Sequence, residues 1–104
     1  MTAVRKGKSD EARAVPLERV LRSLSDPLRL SIVRQLLAAD GGEIACGGFE
    51  HGLTKATFSH HIAVLEKAGL VQARPDGTRR LISLRRDHVA RHFPGLLDLI
   101  RRAP

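Results

Sequence analysis

The chain is poor in the residues that build rigid or reactive folds. Among its 104 residues are one cysteine, three phenylalanines, and no tryptophan or tyrosine. The lone Cys46 excludes an internal disulfide framework and suggests a reducing compartment. With aromatics at 3%, the core must come mostly from Leu, Ile, Val and Ala. The same scarcity argues against a base-stacking platform for single-stranded nucleic acid. No apolar run approaches membrane-spanning length, and the N-terminus has no apolar signal-peptide core, so a cytoplasmic location is expected. Internal repeats and low-complexity blocks are absent as well. At this length there is room for one core, not two.

Positive charge, by contrast, is plentiful. Eighteen Lys and Arg stand against eleven Asp and Glu, a formal net charge of +7, and the pI is near 11.0. An anionic partner is the first expectation. From Arg74 to Arg102 every basic residue other than histidine is arginine, against Asp76, Asp87 and Asp98. The pairs Arg79–Arg80 and Arg85–Arg86 flank a candidate strand. Arginine forks phosphate and reads groove edges better than lysine, which favours nucleic acid over a generic solubilising surface.

Residues 1–15 read as a flexible basic tail, with Arg5, Lys6, Lys8 and Arg13 against Asp10 and Glu11. Residues 16–104 then form one domain. Leu17, Val20, Leu21 and Leu24 follow helical spacing until Ser25-Asp26-Pro27 interrupts them. Asp26 is a strong N-cap and Pro27 suits a first helical position, so a second helix is expected through about Ala39. Its apolar residues cover more than one stripe, which marks it as the central buried helix. After Asp40-Gly41-Gly42, the stretch Glu43 to Gly52 supports at best one short helical turn. Leu70 to Arg74 and Arg79 to Leu84 read as two strands around Pro75-Asp76-Gly77-Thr78, where Asp-Gly is a strong turn signal. Asp87 is placed to cap a short helix through Phe93. Pro94-Gly95 then precedes the apolar run Leu96, Leu97, Leu99 and Ile100.

The most informative stretch runs from Thr54 to Val71. Thr54 can cap a helix whose buried stripe is Phe58, Ile62 and Leu65. Gly69 can take the left-handed conformation that ends it. The other face carries Lys55, Thr57, Ser59 and His60, groups that suit the major groove of double-stranded DNA. Ser59 and His60 are the expected base readers, and Lys55 a phosphate contact. On the hairpin, Arg79 and Arg80 are the expected DNA contacts, although Arg74 and Arg79 have a competing use in pairing with Asp76. His61, beside the buried stripe, is expected to be packed and hydrogen-bonded. The order helix, helix, short helix, helix, hairpin, helix is mainly α with a small β-hairpin, a winged helix-turn-helix arrangement.

Three stretches resemble the ArsR/SmtB-type winged-helix transcriptional regulators of prokaryotes. Leu24-Ser25-Asp26-Pro27-Leu28-Arg29-Leu30-Ser31-Ile32 resembles the family's Leu-x-Asp-Pro-x-Arg-Leu-x-Ile helix start. Residues Thr57 to Val71 are similar to its Ser-His-His-Leu-x-x-Leu-x-x-Ala-Gly-Leu-Val recognition helix and exit. Gly77-Thr78-Arg79-Arg80 sits where the family's wing carries a Gly-Arg-like sequence. The resemblance covers roughly Pro16 to Leu84. It implies a homodimer, joined through its first and last helices, that represses transcription from a pseudo-palindromic operator. The apolar first helix and last run independently call for something to bury them, either the core or a second copy.

Metal-sensing members of that family often carry Glu-Leu-Cys-x-Cys where this chain has Glu43-Ile44-Ala45-Cys46-Gly47. One displaced thiol cannot form the thiolate pair. His88 and His92 make an i, i+4 pair near Asp87, but the wider spacing of the family's second site is missing. No metal or cofactor is therefore expected, the effector is left open, and Cys46 is read as structural. Catalysis is not expected either, because Ser59 and His60 point about 100° apart on a helix and cannot act as a pair. The alternative function is a nonspecific architectural nucleic-acid-binding protein of the same fold.

Overall fold

Ser25-Asp26-Pro27 sets the geometry of the first half. In the computed structural model, which describes residues 15–104, the triplet separates α1 (Leu17–Leu24) from α2 (Pro27–Ala38). The Asp26 carboxylate accepts hydrogen bonds from the backbone N–H groups of Leu28 (2.8 Å) and Arg29 (3.1 Å). Pro27, which has no N–H to satisfy, occupies the first turn. α2 buries Ile32, Val33 and Leu36 completely and packs against α1, α3, α5 and the sheet, so it is the central helix the pattern predicts. The expected basic tail lies outside the described residues, except for Val15, which packs half-buried against the core.

The segment after α2 departs from the sequence reading. A 3₁₀ turn at Asp40–Gly42 leads into a strand, β1 (Glu43–Ala45), and a second 3₁₀ turn spans Cys46–Gly48. The single helical turn is present, but a strand precedes it. Three residues carry too little alternation to reveal a strand; β1 exists because Glu43, Ile44 and Ala45 pair with Ser83, Ile82 and Leu81. The expected two-stranded hairpin is therefore an antiparallel three-stranded sheet, ordered β1-β3-β2.

Helix α3 (Lys55–Lys67) has both of its predicted ends. The Thr54 hydroxyl accepts from the Thr57 N–H at 3.2 Å. Gly69 takes φ 80°, while the Gly69 and Leu70 N–H groups donate to the Glu66 and Leu65 carbonyls at 3.0 and 3.1 Å. That is a Schellman stop, with the buried Leu70 folded beneath it. β2 (Val71–Asp76) and β3 (Arg79–Leu84) follow, joined by Gly77-Thr78. The tight turn falls within the expected Pro75–Thr78 segment, with Gly77 at φ 65° as its first central residue, and β2 runs two residues further than expected, to Asp76.

α4 (Arg86–His92) and α5 (Leu96–Arg102) complete the chain. Asp87 is a correction: it lies in the first turn of α4, whose capping position is Arg85 with no side-chain cap. The favourable place for a carboxylate near a helix start extends through that turn, so the signal was right in kind and misplaced in register. α5 is anchored by Arg34 of α2, whose Nε donates to the Ile100 carbonyl (3.0 Å) and whose Nη2 donates to that of Ala103 (2.7 Å). These bonds satisfy carbonyls that the end of a helix leaves unpaired. The result is mainly helical with a small sheet, a winged helix-turn-helix. No helix among the described residues is long and apolar enough to cross a membrane.

The cap at Asp26 gives a direct test. Its backbone hydrogen bond to Arg29 is the largest cause holding the carboxyl below its ordinary 3.8. A depressed carboxylate pKa stabilises the fold above the unfolded value, and that contribution is lost as pH falls through the folded value. Asp26→Ala is expected to lower stability by about 1 kcal/mol at neutral pH, and the deficit should shrink below about pH 4. Asp26→Asn, which can still cap, should lose much less. Urea unfolding of the three proteins across that pH range measures both effects.

Candidate nucleic-acid interface

Two sets of contacts fix α3 relative to the rest of the molecule. On one side, the loop before it is clamped to α2 by Gln35, whose amide oxygen accepts from the Glu50 N–H (3.0 Å) and whose amide nitrogen donates to the Glu50 carbonyl (3.1 Å). Phe49 is buried with its ring centroid 5.2 Å from that of Phe58. His51 stacks on the same Phe58 ring at 4.1 Å and 15°, and its Nδ1 accepts from the Leu53 N–H at 2.9 Å. On the other side, Arg29 donates from Nε to the Ser23 carbonyl (2.7 Å) and from Nη1 to Nδ1 of His61 (3.0 Å). His61 is therefore the packed, hydrogen-bonded residue its position predicts, not part of the exposed face.

With Phe58, Ile62 and Leu65 turned into the core, Lys55, Thr57, Ser59 and His60 are all exposed. Lys55 and Ser59 line a groove of about 790 Å³ whose far wall is formed by Thr78, Arg79 and Arg80 of the wing. Its near end is lined by Ala45, Cys46 and His51. Thr57 and His60 lie outside that lining, on the adjoining face of the helix. Thr57 also takes part in the N-terminal cap, where its hydroxyl accepts from Thr54 at 2.9 Å.

The wing arginines differ from one another. Arg79 pairs with Asp76 at 2.9 Å, the competing use foreseen for it, with both side chains largely exposed. Arg80 has no ion-pair partner among the described residues. Arg74 departs from expectation: it crosses β3 to make two hydrogen bonds with Glu43, both 2.9 Å. The Arg74 guanidinium holds the Glu43 carboxyl below its usual range, and Glu43 in turn raises Arg74. That pair ties β1 to β2 and leaves Arg80 as the unengaged cation at the wing tip.

The part that Gln35, Glu50 and His51 play in holding α3 is not legible in the sequence. A glutamine on a helix and a histidine in a glycine-rich loop carry no local signal of their partners. Away from the groove, the His88 and His92 rings stand 4.6 Å apart. No group of three or more metal-ligating side chains is assembled among the described residues.

A capped helix with a polar exposed face, set across a groove from an arginine-bearing wing, defines a helix-turn-helix DNA-binding protein. A family profile described as a helix-turn-helix domain matches residues 24–72, from the end of α1 into β2. YceK of Bacillus subtilis (strain 168), an uncharacterised HTH-type transcriptional regulator, is 35% identical over 97 residues, which cover 91% of this chain and 92% of that protein. The HTH-type transcriptional regulator CmtR of Mycobacterium tuberculosis (strain H37Rv) is 34% identical over 94 residues, covering 86% of this chain and 75% of CmtR. A further uncharacterised HTH-type regulator, from Methanocaldococcus jannaschii, is 38% identical over 60 residues, 57% of this chain and 66% of that protein. The chain belongs to the HTH-type transcriptional regulators.

Proposed function

We propose that this regulator is an ArsR/SmtB-type homodimeric repressor that binds a pseudo-palindromic operator. The observation that carries the reading is the groove shared by Lys55 and Ser59 of α3 with Arg79 and Arg80 of the wing. In it, α3 enters the major groove with Ser59 and His60 at base edges, and Lys55, Arg79 and Arg80 meet phosphate. The Asp76 pair does not bar Arg79 from this role. Exposed ion pairs contribute about 0–1 kcal/mol, so a phosphate can displace the carboxylate. No catalytic chemistry and no metal or cofactor enters this reading.

The apolar residues left uncovered support the dimer. Leu17 and Leu21 of α1 are 53% and 51% exposed, and Leu99 of α5 is 61% exposed. The core buries Val20 and Ile100 of the same helices and leaves these leucines over. Of the two ways to cover the first helix and last run, the fold uses only part of the first. A second copy joined through α1 and α5 would bury the rest.

Selection of bound duplexes from a random pool tests the main reading. One enriched palindrome-like sequence is expected, whereas a nonspecific architectural protein would show steep salt dependence and little enrichment. Ser59→Ala with His60→Ala should relax that preference, at about 1–3 kcal/mol per contacted base pair. Arg79→Ala should weaken binding evenly across sequences and lower the salt slope by about 1. Unchanged operator affinity in both variants would sink the assignment. Sedimentation tests the assembly: the wild type should run as a dimer and Leu21→Glu with Leu99→Glu as a folded monomer. A wild type that stays monomeric at the highest soluble concentration contradicts it.

A further inference from the structure

A second concavity, of about 310 Å³, opens between α1, the start of α2 and the C-terminal half of α3. Arg19, Arg22, Ser23, Arg29, Val64 and Lys67 line it. Four of the six are cations and none is a carboxylate. Arg19, Arg22 and Lys67 are exposed and form no ion pair among the described residues. Carboxylates that do form ion pairs are engaged elsewhere: Glu43 with Arg74, Asp76 with Arg79, and Asp98 with Arg101 and Arg102.

Arg29 spends Nε on the Ser23 carbonyl and one Nη1 hydrogen on His61, leaving its remaining N–H donors without a partner among the described residues. Arg19 and Arg22 are three residues apart on one helix, so their guanidinium groups reach the same side. The Asp26 carboxylate acts electrostatically on Arg29, but Arg19, Arg22 and Lys67 form no ion pair among the described residues, and like charges gathered around one hollow favour an anion there. Planar guanidinium forks fit phosphate oxygens in particular, and a lysine ammonium adds a point charge.

We propose that this concavity is a phosphate-binding site, which takes the anionic oxygens of a phosphate group. It shares no residue with the groove between α3 and the wing, so it stands independently of how that groove is used. Two sources can present such a group: a free phosphorylated small molecule, or the backbone of a DNA duplex. Val64 and Lys67 follow His60 at i+4 and i+7, along one face of α3. A duplex laid on the reader can therefore extend toward the hollow. Arg29 links the hollow to His61 and hence to the reader helix itself.

Calorimetric titration of the full chain with inorganic pyrophosphate at low salt tests the site. Wild type should bind, and Arg19→Ala with Arg22→Ala should weaken binding about tenfold or more. Both side chains are exposed and make no hydrogen bonds to the rest of the described fold, and a matching circular dichroism spectrum verifies that the variant folds. Lys67→Ala, on a different helix, should weaken binding as well. Arg79→Ala with Arg80→Ala, in the other groove, should change affinity by less than about twofold. Failure of pyrophosphate to bind, or equal loss in the wing variant, overturns the proposal. The source follows from duplex binding by the Arg19–Arg22 variant. A salt slope lower by about 1–2 assigns the phosphate to DNA, and an unchanged slope assigns it to a free ligand. Loss of sequence preference with intact pyrophosphate binding would count against the operator reading alone.

Discussion

The geometry of the reader depends on one small polar knot around Asp26 and Arg29. Asp26 starts α2 by accepting from the N–H groups of Leu28 and Arg29. The Arg29 side chain then reaches back to the end of α1 and across to His61 on α3. Three helices are thus held by two neighbouring residues of one turn. Each partner is half-buried or shielded, where a lost hydrogen bond leaves its mate unsatisfied at a cost of about 1–3 kcal/mol. Apolar packing of Ile32, Val33 and Leu36 supplies the bulk of cohesion but little direction. The knot adds direction by tying the start of α2 to α3 at His61, beside the Phe58–Ile62–Leu65 stripe that turns inward.

The second constraint acts from the opposite side of α3. The Gln35 clamp and the Phe49–Phe58–His51 stack hold the loop before the helix. The Arg74–Glu43 pair holds β1 and β2 around β3. These contacts flank the groove between Lys55 and Arg80. A reader helix alone is one of many polar-faced helices. Braced against a wing on one side and α2 on the other, it presents a surface of fixed shape, as recognition requires.

Much of this was legible because it is local. The caps at Asp26 and Thr54, the Gly69 stop and the Phe58–Ile62–Leu65 stripe rest on residues within one or two turns of one another, where spacing carries the information. The unread parts are long-range. Glu43 meets Arg74 across 31 positions and Glu50 meets Gln35 across 15. β1 is a strand only because β3 offers it an edge. Asp87 sits two residues past the cap position that its residue type suggests, since several neighbouring positions at a helix start tolerate a carboxylate. The hydrophobic first helix was visible as a pattern, but that Leu17 and Leu21 stay uncovered required the packed core.

If α3 and the wing contact DNA as one braced surface, a bound duplex perturbs both together. Backbone amide shifts of labelled protein, followed by nuclear magnetic resonance as a selected operator duplex is added, test it most directly. The largest changes are expected at Lys55 to His60 and at Gly77 to Arg80, with little change along α2. Changes that spread evenly over all basic residues, or that spare Lys55 to His60, would contradict it.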